Sequence, residues 1–386
     1  MTATQHSVIS NIKKAKKPED LFGPISTDVS KQQETLEKIK QVFWKMSKVI
    51  HPDIYKAKDA SELFDKLNKL RGEAEKKCTG EKDPLYNNNG VLVKPVEFKS
   101  RHLTYSLLRR LANGGTCGIF EGIAKDRLNN TLNVIARAAK SSKDNDLMER
   151  EAKAFDIINK KLKEISQWEE GKKAAERFSW KIPYFVESVK IKEPHSDKLK
   201  VVNIFSRLDE YKSGWYSLEE IHAQYPKGVD MRIAAFIFNR VLEALTLSHS
   251  CGVIHGAVTP NHILVHAETH VGNLIDWTSS CHSGIITVPF MDKRYTDFFA
   301  PETLNTKVAF ASSDIYMAAK CMVYLIGEDH VWTPKEEPVR KVLNLCLQPN
   351  RALRPTAEQA YEKFRQALRD TFGAPKFVEL TMTQKV

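Results

Sequence analysis

Two adjacent glycines, Gly114 and Gly115, with Gly118 close behind, lie between strand-like runs at 105–111 and 119–124. A hairpin with glycine at its tip lets backbone amides come close to a phosphate. Five histidines crowd a later stretch, His249, His255, His262, His266 and His270, and imidazole clusters can hold zinc. A third candidate is the tripeptide His51-Pro52-Asp53, set between two polar-faced apolar stripes. Other chemistries find no support. The sequence has no G-x-S-x-G turn and no Ser-His-Asp arrangement. The six cysteines, at 78, 117, 251, 281, 321 and 346, form no C-x-x-C pair, which argues against a zinc ribbon or a disulfide framework. Free thiols in a reducing cytoplasm are the expectation.

These groups need elements to hold them. Residues 30–50 read as a helix, with Ser30 as N-cap and Gln33 completing a capping box. Leu36, Ile39, Phe43, Met46 and Ile50 make one apolar stripe, while Lys38, Lys45 and Lys48 face solvent. The helix stops at His51-Pro52, because a residue before proline is pushed out of the helical region. A second helix spans 61–77, with Leu63, Phe64, Leu67, Leu70 and Ala74 inward, so the two form an antiparallel hairpin. Residues 79–97 hold Thr79-Gly80, Asp83-Pro84 and Asn87-Asn88-Asn89-Gly90, which read as a linker. Farther on, residues 231–250 form an amphipathic helix with Ala235, Phe238, Leu242, Leu245 and His249 in register, ended by Gly252.

The chain has 386 residues, 42% apolar and 28% charged, enough for two or three cores and too apolar for wholesale disorder. No run approaches the roughly 20 apolar residues of a membrane helix. The polar, lysine-ended first 17 residues show no secretory signal and read as a disordered basic segment. The net charge of +11 raises nucleic acid as a partner. With no RNA-binding signature and no helix-turn-helix punctuation, an acidic protein partner suits the charge as well.

A basic helix, then His51-Pro52-Asp53, then a helix with Phe64 and Asn68, resembles a J domain over residues 18–78. Leu21-Phe22-Gly23 is similar to the segment that opens many J domains. The resemblance implies that His51, Pro52, Asp53 and the lysines Lys38, Lys45 and Lys48 engage an Hsp70-type chaperone.

Residues 98–373 resemble a protein kinase. Asn113-Gly114-Gly115-Thr116-Cys117-Gly118 looks like its glycine-rich loop, with Asn113 in place of the first glycine. His255-Gly256-Ala257-Val258-Thr259-Pro260-Asn261-His262 resembles the catalytic loop. Asp276-Trp277-Thr278 occupies the D-F-G place, Ala300-Pro301-Glu302 matches A-P-E, and Ser313-Asp314 and Arg354 fall where the family stabilises these motifs. The resemblance implies that Gly114, Gly115, Gly118, Arg137 and Glu151 form a nucleotide site. Arg137 stands at the usual lysine position, with Lys140 as the competing alignment. The departures fall on chemistry. Ala257 occupies the place of the general base, so no catalytic residue set is intact. His262 replaces an oxygen ligand of Mg²⁺, leaving Asp276 as the metal residue with His262 a weak second. Gly256 removes the arginine that reads activation-loop phosphorylation. The same loop gives His255 a packing role, which weakens the zinc reading. The aromatics of Gly214-Trp215-Tyr216-Ser217-Leu218 read as core.

The expected architecture is multidomain: a disordered segment 1–17, an all-α J-like hairpin 18–78, a linker 79–97, an α+β bilobal kinase-like domain 98–373 and a tail 374–386. The expected function is a cytoplasmic co-chaperone or adaptor that recruits Hsp70 and binds a client or nucleotide, with ATP and Mg²⁺ as candidate cofactors and no membrane. The rivals are an active atypical Ser/Thr kinase and a non-catalytic scaffold.

Overall fold

A computed structural model describes residues 3–26, 31–50, 55, 57, 59–79, 91–179, 181–192, 197–206, 214–282, 288, 291–374 and 376–383. The chain divides into two compact units, Met1–Pro95 and Val96–Val386. The first is helical and the second mixes helices with an antiparallel sheet, a multidomain α+β architecture.

In the first unit, α1 (Ala3–Lys14) and α2 (Glu19–Phe22) precede α3 (Gln32–Ile50) and α4 (Ala60–Thr79). Ile39 and Ile50 of α3 and Leu63, Leu67, Leu70 and Ala74 of α4 are buried in one core, with Phe43 and Met46 packed at its edge. Lys38, Lys45 and Lys48 are exposed. The first segment departs from the expected disorder. Helix α1 buries Ile9 and Ile12 in the same core, and Leu21 and Phe22 of α2 join them. Lys66 Nζ donates to the Lys13 carbonyl at 2.8 Å, capping the helix end, and Lys13 pairs with Asp59 at 2.7 Å. The tripeptide His51-Pro52-Asp53, Ser30 and the turn formers at 80–90 lie outside the described residues.

The second unit opens on a six-stranded sheet in the order β1-β2-β3-β4-β6-β5. Its strands are β1 (Val91–Lys99), whose residues from Val96 on belong to this unit, β2 (Thr104–Asn113), β3 (Cys117–Lys125), β4 (Thr131–Ala139), β5 (Phe185–Lys192) and β6 (Leu199–Ser206). The expected linker therefore ends in a strand. Helices α5 (Asn145–Ile165) and α6 (Glu169–Ser179) come between β4 and β5. Val201, Val202, Ile204 and Phe205 are all buried, so β6 is covered on both faces, with the polar Asn203 buried among them.

Phe155 of α5 packs against Phe185, Phe205 and Trp277, with ring centroids 5.2–5.7 Å apart. This cluster ties the sheet and α5 to the loop carrying Asp276.

The rest of the unit is largely helical. After β7 (Trp215–Ser217) and α7 (Leu218–Gln224), the long α8 (Met231–Ser250) is capped by the Asp230 side chain on the Arg232 amide. Short strands follow: β8 (Val253–Ile254), β9 (Ile263–His266), β10 (Gly272–Leu274) and β11 (Cys281–His282). β8 pairs with β11, and β9 lies between β7 and β10. Then come α9 (Pro301–Thr306), α10 (Ala311–Ile326), α11 (Glu337–Cys346) and α12 (Ala357–Phe372). Phe364 of α12 meets Phe238 of α8 edge to face at 4.8 Å.

The segment after α12 is not a free tail. Leu380 is buried, Val378 and Met382 pack on the same core, and the Thr381 carbonyl accepts from Gln224 Nε2 and Tyr225 Oη at 2.8 and 2.6 Å.

Candidate functional site

The site grows from β4, α5 and the loops on either side of the β9–β10 hairpin. Arg137 lies on β4 opposite Ile119 of β3 and Asn203 of β6, and its guanidinium points toward α5. Its Nη1 donates to Glu151 Oε1, its Nη2 pairs with Asp276 Oδ2 at 2.9 Å, and Nη2 also reaches Cys117 Sγ at 3.4 Å. Lys140 is exposed beyond the strand end, where its amide donates to the Thr116 carbonyl at 3.0 Å.

Glu151 is completely buried. Its Oε2 accepts from Asn203 Nδ2 at 2.9 Å, and its Oε1 also accepts from the Trp277 amide at 3.2 Å. Two carboxylates thus share one guanidinium. Burial pushes the Glu151 carboxyl up, against the pull of Arg137. Burial would raise Asp276 as well, but Arg137 and then His262 outweigh it and hold that carboxyl well below its usual range. Asp276 is the firmly charged partner.

Asp276 has left-handed backbone geometry, φ 62°, and its Oδ1 accepts from Thr278 Oγ1 at 2.6 Å. An aspartate tolerates this region because its short side chain can bond locally. Its Oδ2 also lies 3.5 Å from His262 Nε2. The opposite nitrogen of that ring, Nδ1, is 2.8 Å from the Ala257 carbonyl, so Nδ1 carries a proton and donates it there.

The expected Mg²⁺ does not fit these residues. Mg²⁺ demands near-octahedral oxygen ligands at about 2.0–2.1 Å. Both Asp276 oxygens already have partners, one of them a guanidinium, and an imidazole stands beside it. Unit charges 4 Å apart interact by about 4 kcal/mol at an effective dielectric of 20, so a divalent ion beside Arg137 would be opposed by about twice that. Among the described residues no three His, Cys, Asp or Glu side chains converge as a metal site. The five histidines take separate partners: His249 meets Asp314, His255 meets Ile275, His262 meets the Ala257 carbonyl, His266 meets Thr269 and His270 stacks on Phe377.

The glycines divide. Nothing lies within 4 Å of the place where a Gly115 Cβ would sit, whereas at Gly118 a Cβ would come 2.8 Å from the Phe120 ring. The open backbone is therefore at Gly115, since a Cβ at Gly114 would come 3.2 Å from the Cys117 carbonyl oxygen. Ala257 is buried, 5% exposed, and offers only a methyl group. Gly256 has φ 77°, and a Cβ there would meet the Ser279 carbonyl oxygen at 2.9 Å, so no other residue fits without moving the loop.

Two anchors hold the loop, Asp314 and His255, and a separate ion pair lies beyond it. Asp314 Oδ1 accepts from the Gly256 amide and Oδ2 from the His255 amide, both at 2.8 Å. Glu302 and Arg354 make a two-pronged pair at 2.6 and 2.9 Å. His255 accepts the Ala257 amide on Nδ1 at 3.2 Å and sits 3.0 Å from the Ile275 carbonyl through Nε2, so its neutral tautomer satisfies both ring nitrogens.

That arrangement predicts a pH dependence. Burial pushes His255 down to about 4, while the unfolded side chain titrates near 6.5. The unfolded chain therefore binds more protons between these values, and stability contributed by neutral His255 is lost as pH falls through that window. Its share of the slope approaches ~1.4 kcal/mol per pH unit there. Urea unfolding at pH 4.5, 5.5 and 6.5 should show a shallower slope for His255→Gln than for the unaltered chain.

Sequence reasoning missed Asn203, and it named Cys117 and Thr278 only as motif members, not as partners of Arg137 and Asp276. Asn203 had a signal, a polar residue inside the apolar run Val201-Val202-Asn203-Ile204-Phe205. A second polar cluster was also unforeseen. Glu243 of α8, buried, accepts from Arg177 and from Arg240 at 2.7 Å, with Lys181 Nζ 3.8 Å away. Burial lowers the Lys181 ammonium to about 8.

No protein-family model matches the chain, and no curated protein matches it significantly. Among the described residues, no helix is long and apolar enough to cross a membrane.

Proposed function

We propose that the chain is a J-domain-like co-chaperone adaptor. Its helical unit recruits an Hsp70-type chaperone through His51-Pro52-Asp53 and the lysines of α3. Its larger, kinase-like unit binds a client protein or nucleotide without efficient phosphoryl transfer. The observation that carries the reading is the division of labour in the larger unit. The residues that stabilise kinase motifs are paired, Glu302 with Arg354 and Asp314 with the loop amides, while Ala257 stands where the base would be. Loss of a general base costs about 10²–10⁴ in rate. The support for the helical unit is the exposure of Lys38, Lys45 and Lys48 on a helix whose opposite face is buried, just before His51-Pro52-Asp53.

Two assays test it. The full chain should stimulate ATP hydrolysis by the host's Hsp70, and His51→Gln should abolish that stimulation with no change in circular dichroism. Absence of stimulation by the unaltered chain ends the co-chaperone reading. With labelled ATP, transfer to protein should stay at background. Robust transfer that vanishes in Asp276→Ala would establish an active kinase with a relocated base.

A further inference from the structure

We infer that Lys181 is a modification site, its side-chain amine taking up carbon dioxide to form a carbamate held by Arg177 and Arg240. The inference concerns the cluster around Glu243 and stands apart from the co-chaperone reading.

The argument starts from a count of charges. Glu243 of α8 is 2% exposed, and cations reach it from three directions: Arg177 on α6, Arg240 on α8 itself, and Lys181 on the segment that leads into β5. Arg177 Nε donates to Oε1 at 2.9 Å, and Arg240 Nη1 donates to Oε2 at 2.7 Å. Tyr361 of α12 completes the group. Its Oη donates to Glu243 Oε1 at 3.1 Å and accepts from Arg177 Nη2 at 2.6 Å. Three positive charges therefore face one negative charge, a surplus of two in a largely buried place.

Lys181 is the cation that this arrangement serves least. Both arginines donate directly to the carboxylate. The Lys181 ammonium stops 3.8 Å from Oε2, too far for a hydrogen bond. Its side chain is 8% exposed, while that of Arg177 is 51% exposed, so the cluster meets solvent through the arginine and not through the lysine. A buried ammonium without an acceptor is costly, and losing its proton relieves that cost. Burial, and then the charge of Arg240, lower Lys181 to about 8. Free amine is thus present near neutral pH, where an ordinary lysine at about 10.4 is almost wholly protonated.

The chemistry balances without an oxidant or a reductant. The amine lone pair attacks the carbon of dissolved carbon dioxide, and a C–N bond forms. One C=O electron pair moves onto oxygen, and the N–H proton leaves to water. The product is a planar –NH–COO⁻ group. Lys181 passes from a positive to a negative charge, so two arginines then face two anions and the surplus is gone. Guanidinium forks suit such a planar oxyanion, as they suit a carboxylate. Burial selects the reagent, since a triatomic neutral molecule reaches a site that a bulky acyl donor does not.

The test equilibrates the full chain with ¹³C-labelled carbon dioxide at fixed partial pressure, at pH 7.5 and 8.5. Carbamates are trapped as ethyl esters with triethyloxonium and located by peptide mass spectrometry. Lys181 should carry about tenfold more trapped label than the exposed Lys140 and Lys160, because a lysine lowered by two units or so holds ~100 times more free amine. The label should rise at the higher pH. Arg240→Gln should lower the Lys181 label severalfold, and circular dichroism shows whether that variant is folded. If it is not, the unaltered chain still decides. Label at Lys181 no greater than at the exposed lysines overturns the inference, and so does full label in a folded Arg240→Gln. Absence of label together with a melting temperature raised by sulfate or phosphate would show that a bound oxyanion fills the surplus, and the carbamate would be ruled out.

Discussion

Replacing Glu151 with alanine is expected to destabilise the larger unit by about 3–5 kcal/mol, the usual loss when one member of a buried ion pair is removed. The estimate follows from what the carboxylate holds. It faces Arg137, accepts from the Asn203 amide group at 2.9 Å, and accepts from the Trp277 backbone at 3.2 Å. Alanine would leave two buried donors with fewer partners, each worth about 1–3 kcal/mol when stranded. Asp276 remains beside Arg137 at 2.9 Å and holds part of the charge, which caps the loss. Glu151→Gln should fall between, because an amide oxygen still accepts from Trp277 but brings no charge. Urea midpoints with a fixed slope measure the difference. A Glu151→Ala change within about 1 kcal/mol of the unaltered chain, the range of many solvent-exposed pairs, would mean that the pair is not desolvated as the geometry implies.

The parts of this fold that were legible are those where one period dominates a long window. The stripe of α3 and α4 and the apolar length of α8 gave helices at 30–50, 61–77 and 231–250, against Gln32–Ile50, Ala60–Thr79 and Met231–Ser250. Helix α1 was masked by its own lysines. Its stripe is only Val8, Ile9 and Ile12, with Ala15 just past its end, too short to carry a helix alone, and burial against α3 and α4 supplies what propensity does not. The tail carried a period of two at Val378, Leu380 and Met382, a pattern of an extended segment with one face covered, which three apolar positions did not make conspicuous.

At the site, residue identities were readable and their electrostatics were not. That Arg137 falls opposite Glu151 follows from strand and helix order. That the same guanidinium also reaches Asp276 depends on a left-handed aspartate 139 positions away, and no local pattern encodes it. The cluster of Arg177, Arg240 and Lys181 around Glu243 was hidden for the same reason, since it joins α6, the β5 approach and α8 across long sequence distances.

Asp314→Ala is expected to cost about 3–5 kcal/mol and to loosen the loop that carries Ala257 and His262. Asp314 is fully buried near the start of α10. Its two oxygens accept from the Gly256 and His255 amides at 2.8 Å, and Oδ2 also meets His249 Nε2 at 2.9 Å. Neither amide has water to fall back on, because His255 and Gly256 are themselves buried. Asparagine is no remedy. Its single carbonyl oxygen can serve one amide, while its NH₂ group would be aimed at the other N–H, so Asp314→Asn should lose most of what alanine loses. Hydrogen exchange separates this local role from a general packing defect: the His255 and Gly256 amides should lose protection first, ahead of those in the middle of α8. If both amides stay protected in Asp314→Ala, the carboxylate does not anchor the loop, and its contacts with the Ile275 backbone hold it instead.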